Sequence, residues 1–92
     1  QLNVKKHCED PAMSVPGGTY TGAQTVTLTT GTAGAKIMYT TNGTTPGELN
    51  GTEYSEPVVI TESTGLKAIV IKEGSVSSNV VTEEYLIGMD GI

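Results

Sequence analysis

Ten carboxylates, an adjacent His-Cys pair and four tyrosines are the side chains of this sequence that could do chemistry. Glycoside hydrolysis needs two carboxyl groups held a fixed distance apart in a cleft, one of them with a raised pKa. Glu48, Glu53, Glu56, Glu62, Glu73, Glu83 and Glu84 fall mostly in expected turns or at strand ends, and Glu9, Asp10 and Asp90 lie toward the ends of the chain. Carboxylates so placed solubilise strand edges and oppose edge-to-edge pairing. No catalytic residue is assigned among them. His7 is the one histidine, and no Ser or Cys outside the first ten residues has a His partner for a nucleophilic triad.

Metal chemistry is equally thin. His7 and Cys8 offer two ligands and no second cluster follows, whereas a zinc site needs three or four. Cys8 therefore reads as a free thiol in a leader segment, with intermolecular pairing or metal binding as the alternatives. Glu48, Asn50, Glu53 and nearby backbone carbonyls could supply oxygen ligands to calcium, but their spacing matches no established calcium loop. The segment reads as a plain surface loop, with no metal and no cofactor assigned.

Sugar recognition needs flat aromatic surfaces, because the C–H face of a pyranose packs on a π system. The chain has no Trp and no Phe, only Tyr20, Tyr39, Tyr54 and Tyr85. Tyr39 and Tyr85 fall on expected core positions, and Tyr20 closes one end of the domain. Tyr54 is left as the single ligand-binding candidate, with packing as its competing role. Asn42-Gly43-Thr44 and Asn50-Gly51-Thr52 are glycosylation sequons by pattern, but each reads as an Asn-Gly turn.

Composition narrows the partners. The net charge is −5 with five Lys and Arg residues, so no basic stripe exists to neutralise phosphate, and nucleic acid is excluded. No run approaches the ~20 apolar residues of a membrane-spanning helix. Ninety-two residues make one domain. There is no signal peptide and no initiating Met, so the sequence reads as a segment of a longer protein. Abundant Thr, Val, Ile and Gly give the profile of a secreted all-β module.

Residues 1–10 carry charge without period and read as a leader or linker, residues 11–87 as a single β-sandwich domain, and residues 88–92 as a C-terminal tail. Pro11 to Val15 predicts a short edge strand. Gln24 to Thr30 alternates, with Val26 and Leu28 on one face. Ala35 to Thr41 follows, with Ile37 and Tyr39 inward and Lys36, Met38 and Thr40 outward. Asn42-Gly43 suits a tight turn with positive φ at both positions, and a loop runs on to Thr52. Tyr54 begins a short connecting strand, and Pro57 delays the next to Val58–Ile60. Leu66, Ala68 and Val70 point inward in the strand from Leu66 to Lys72, and Ile69 and Ile71 suggest that the outer face is partly covered. Val76, Ser78 and Val80 share one parity while Val81 and Tyr85 share the other, so a bulge is expected between Val80 and Tyr85. Six to seven short strands at this spacing give an antiparallel β-sandwich of immunoglobulin or fibronectin III type. The expected core is Val26, Leu28, Ile37, Tyr39, Val59, Leu66, Ala68, Val70 and Tyr85.

The ordered set Pro16-Gly17-Gly18-Thr19-Tyr20, QTVTLTT (Gln24 to Thr30), IMYTTNGTTP (Ile37 to Pro46), Tyr54, LKAIVIKEG (Leu66 to Gly74), Ser78 and Tyr85 resembles the chitobiase/β-hexosaminidase C-terminal-type domain, over about Pro11 to Ile87. The family's usual turn reads Tyr-Thr-x-Asp-Gly with a proline shortly after. Tyr39-Thr40-Thr41-Asn42-Gly43 and Pro46 match it, with Asn42 where Asp is usual. The resemblance implies a fibronectin-like accessory domain of bacterial glycoside hydrolases or surface proteins, with no catalytic residue to carry over.

These readings converge on a non-catalytic spacer or interaction module, ~30–40 Å long from strand rise, of a secreted or cell-surface bacterial protein such as a glycoside hydrolase. The alternative is a carbohydrate-binding module targeting an attached glycoside hydrolase. A third reading docks Met38, Ile69 and Ile71 against the parent enzyme's catalytic domain. The expected partners are neighbouring domains of the same polypeptide and, in the second reading, a cell-surface glycan. Membrane insertion is not expected, and the isolated domain is expected to be a monomer.

Overall fold

Leu66, Ala68 and Val70 have no exposed surface, while Lys67, Ile69 and Ile71 between them are half-buried. That period-two pattern is what a strand with one face on a core dictates, and this strand is the centre of the molecule. The computed structural model describes residues 7–88, and all its regular structure is β. The strands are β1 (Ala12–Met13), β2 (Gly18–Tyr20), β3 (Gln24–Val26), β4 (Leu28–Thr29), β5 (Lys36–Thr40), β6 (Thr52–Glu53), β7 (Val58–Ile60), β8 (Thr64–Ile71) and β9 (Val81–Ile87).

One layer is a five-stranded sheet in the order β2-β9-β8-β5-β6. The opposite layer consists of the pairs β1-β4 and β3-β7. Between them lie Cys8, Val26, Leu28, Ile37, Val58, Ile60, Leu66, Ala68, Val70 and Tyr85. This is an all-β sandwich, and seven of the nine expected core residues are in its central cluster. Every sheet pairing is antiparallel except one, since β2 runs parallel to β9 with Gly18 opposite Tyr85.

The run from Gln24 to Thr30 keeps Val26 and Leu28 inward as its alternation requires, but it serves two partners. Gln24–Val26 pairs with β7 and Leu28–Thr29 with β1. The changeover is at Thr27, whose amide donates to Ser14 Oγ and whose carbonyl accepts from Ser14 N–H.

Several expectations change. Val59 is 59 % exposed, and Val58 and Ile60 fill the core in its place. Antiparallel pairing sets Val58 opposite Val26, so the inward position of Val26 fixes the parity of β7. Met38 and Thr40 keep the outer face that alternation gives them, yet both are buried there. Met38 lies between Glu53 on β6 and Ile69 on β8, whose longer side chains flank it. Met38, Ile69 and Ile71 therefore form a largely covered surface, with Ile69 and Ile71 half-buried.

The bulge lies earlier than expected. Register is continuous from Thr64↔Tyr85 to Ala68↔Val81. Continued one step further it would set Val70 opposite Asn79, yet Ser78 N–H donates to the Val70 carbonyl. The extra residue therefore falls between Ser78 and Val81, and the Ser78 hydroxyl accepts the Val70 N–H at 2.8 Å in place of a backbone carbonyl. This switch lets Ser78 and Tyr85, of opposite parity, both point inward.

The segment expected as a leader is part of the fold from His7 onward. His7 bridges to Val76, and Cys8 N–H donates to the Val76 carbonyl at 2.8 Å. Glu9 N–H donates to Thr32 Oγ1 and Asp10 Oδ1 accepts from Asn79 N–H. Cys8 is 4 % exposed and belongs to the core, so it is no surface thiol. Charge at Glu9 and Asp10 hid this, because their carboxylates face outward around a single inward cysteine.

Candidate functional site

The longest loop of the domain joins β5 to β6, and it is held by its own polar side chains. Asn42 Oδ1 accepts from Thr44 N–H at 3.2 Å and from Thr44 Oγ1 at 2.7 Å, an Asx turn. Thr40 Oγ1 donates to the Thr44 carbonyl, and Asn50 Nδ2 donates to Thr44 Oγ1 and to the Thr45 carbonyl. Gly47 and Asn50 exchange backbone hydrogen bonds, which sets Glu48 and Leu49 at a tight tip. Asn42 itself has negative φ, and only Gly43 takes the left-handed conformation, at +84°. The expected turn with positive φ at both positions is thus replaced by one that the Asn42 side chain closes.

Tyr54 stands just beyond this loop. Its N–H donates to the Ile37 carbonyl at 2.7 Å, its ring is half-buried, and it meets the Tyr39 ring edge-on with centroids 6.5 Å apart. Tyr39 is half-buried as well and packs on the edge of the core. Beside Tyr39 lies a shallow hollow of about 220 Å³ lined by Thr40, Thr41, Asn42, Asn50, Gly51 and Thr52. Tyr54, the ligand-binding candidate, therefore sits one ring away from a hollow lined with hydroxyls and amides. Such a hollow can exchange hydrogen bonds with a polyhydroxyl ligand, while Tyr54 offers only part of a ring face.

The other tyrosines serve structure. Tyr85 is fully buried, donates to the Val15 carbonyl at 2.6 Å, and lies 6.4 Å from the Tyr20 ring. Desolvation by burial, with the Glu83 charge and Tyr20 adding to it, pushes the Tyr85 pKa up to about 12. Tyr20 donates to the Pro16 carbonyl and closes the end where β2 meets β9.

Among the described residues the carboxylates do not converge on a cleft. Glu48, Glu53, Glu56, Glu62, Glu73 and Glu84 are exposed, and Glu83 accepts the Gly17 N–H at 2.7 Å. Asp90 lies outside the described residues. Among the described residues, no three His, Cys, Asp or Glu side chains gather as a metal site. A second hollow of about 510 Å³ opens where the chain begins its first bridge, lined by His7, Glu9, Thr32, Lys72 and Ser75 among others. Among the described residues, no helix is long and apolar enough to cross a membrane.

Sequence reasoning missed two contributors to this architecture, Cys8 and Thr40, both buried. Ser78 carried a signal, since a lone serine between Val76 and Val80 shares their parity. Thr40 and Cys8 carried none, because their burial depends on a loop and on a strand far away in sequence.

Comparison with known proteins agrees with the geometry. The family model described as the chitobiase/beta-hexosaminidase C-terminal domain matches residues 15–82. An endoglucanase of Clostridium saccharobutylicum is 48% identical over 44 residues, which are 48% of this chain and 10% of that enzyme. The shared stretch is thus a small fraction of that endoglucanase. No solved structure matches the chain. Since that family match covers most of the chain, the chain belongs to the chitobiase/β-hexosaminidase C-terminal domain family, an accessory domain of glycoside hydrolases.

Proposed function

We propose that this domain is a non-catalytic spacer or interaction module of a secreted or cell-surface bacterial protein that carries a glycoside hydrolase. The observation that carries the reading is where the described chain enters and leaves. His7 is bridged to Val76, at the start of the final extended run, and Gly88 N–H donates to the Tyr20 carbonyl at its far end. Val76 to Ile87 at strand rise spans roughly 30–35 Å. Neighbouring domains attached at the two ends would be held apart by about that distance. A sandwich layer with a continuous core between the two points resists bending, which a Gly/Ser linker cannot do.

The test is to excise residues 7–88 from the parent polypeptide and rejoin the flanks, with distance labels on each flank. The separation should shrink by about the sandwich length, and hydrolysis of a soluble substrate should persist. An unchanged separation, or turnover of a glycoside by the isolated domain, overturns the proposal.

A second reading, a carbohydrate-binding module, is favoured by the hollow beside Tyr39, where two asparagines and several threonines present polar groups. Titration of the isolated domain with soluble oligosaccharides separates the two. Saturable binding that weakens in Tyr54→Ala, with the fold intact, supports this reading; no binding to any glycan leaves the spacer alone.

A further inference from the structure

The chain carries two Asn-Gly steps in one loop, and the structure treats them oppositely. We propose that Asn42 is a site of spontaneous covalent modification, deamidation through a succinimide, and that Asn50 is protected from it. In this reaction the Gly43 backbone nitrogen loses its proton to solvent base and attacks Cγ of Asn42. A bond forms between that nitrogen and Cγ, the Cγ–Nδ2 bond breaks, and ammonia leaves. Water then opens the cyclic imide to give Asp or isoaspartate, so the co-reactant is solvent and no oxidant or reductant is needed. One neutral amide becomes one carboxylate.

Three features favour Asn42. Its Oδ1 accepts from Thr44 N–H and Thr44 Oγ1, and donors on a carbonyl oxygen stabilise the negative charge that develops there during attack. The ring closed by the Thr44 N–H bond contains both Cγ of Asn42 and the Gly43 nitrogen, so the turn holds the reacting carbon and its nucleophile in one small loop. No atom outside its chain neighbours lies within 4 Å of the position a Gly43 Cβ would take, which leaves the backbone room to rotate.

Asn50 lacks all three. Its Nδ2, the leaving nitrogen, donates to Thr44 Oγ1 at 3.0 Å and to the Thr45 carbonyl at 2.7 Å. Its own N–H and carbonyl are both bonded to Gly47. Gly51 has φ +115° and is pressed so closely on Tyr39 that a Cβ there would stand 2.7 Å from the Tyr39 carbonyl oxygen. The rotation that would bring Gly51 N onto Cγ must first break these contacts. The product carboxylate at residue 42 would lie on the rim of the hollow beside Tyr39.

The experiment incubates the native protein, and in parallel the urea-denatured protein, in mildly alkaline buffer. Cleavage after glutamate separates the two asparagines at Glu48, and mass spectrometry reads the deamidated fraction of each peptide over time. In the native protein Asn42 should react at least about tenfold faster than Asn50, the factor that opening one or two net-stabilising hydrogen bonds corresponds to. In the denatured protein the two rates should converge. Equal native rates, a faster Asn50, or an Asn42 unchanged while the denatured chain reacts each overturn the proposal.

Discussion

The Tyr85 hydroxyl donates to the Val15 carbonyl at 2.6 Å, a bond between the last strand and the segment just after the first. The same oxygen lies 3.7 Å from the Met13 sulfur, and the residue has no exposed surface. One side chain thus pins the two layers together at the place where the alternating pattern of β9 turns inward.

Tyr85 makes stability fall in alkali. Its folded pKa, raised to about 12, exceeds the ordinary 10.0 of the unfolded chain. The neutral form is favoured in the native state, so the contribution is fully present below pH 10 and is lost as pH rises toward 12. Denaturant titrations should show a loss of up to roughly 2 kcal/mol across that window. Tyr85→Phe should lose about 1–2 kcal/mol near neutrality, because the Val15 carbonyl is left without its partner, and should flatten the alkaline limb. A Phe variant with the same limb would show that another group carries it.

Gly51→Ala should be more damaging than Gly43→Ala. Both glycines sit at positive φ, but only Gly51 abuts backbone, with the Tyr39 carbonyl in the space a methyl would take. Strain alone costs about 1–3 kcal/mol at such sites, and at Gly51 the displacement of β5 is added. Thermal unfolding of the two variants reads the order directly, and equal losses would mean that the loop shifts freely.

Cys8 should resist thiol reagents in the native protein and react at once in denaturant, since it is 4 % exposed. Cys8→Ser should destabilise the domain by about 1–3 kcal/mol by burying a hydroxyl in the core. Rapid labelling under native conditions would return residues 7–10 to the leader first expected.

Ser78→Ala removes the acceptor of the Val70 N–H, which is buried under the bulge. The orphaned donor should cost about 1–3 kcal/mol. Hydrogen exchange at the Val70 amide should accelerate out of proportion to its neighbours on β8, and unaltered protection would mean that water or Asn79 replaces the hydroxyl.

The faces of β8 were legible because Leu66, Ala68 and Val70 alternate without interruption, and side-chain direction in a strand alternates with them. The same logic gave Val26 and Leu28 but failed at Val58–Ile60. Three consecutive apolar residues carry no parity of their own, and Pro57 hides where the strand begins. The bulge was legible in kind from the clash between Val80 and Tyr85, while its position needed the Ser78–Val70 bond. Of the candidate site, Tyr54 and both Asn-Gly steps were visible in the sequence. The hydrogen bonds that hold Asn50 by its side-chain nitrogen and Asn42 by its side-chain oxygen were not, because Thr40, Thr44 and Asn50 meet only after the loop has folded.

By itself the sequence determined that this protein is an acidic, helix-poor β module of its family, because alternation, turn glycines and charge are local properties of a chain. Tertiary structure alone decided the parallel docking of β2 on β9, the burial of Cys8 against Val76, and the inward parity of Val58. Each depends on register between strands far apart in the chain, and register is set by how whole faces fit together rather than by any residue's own preference.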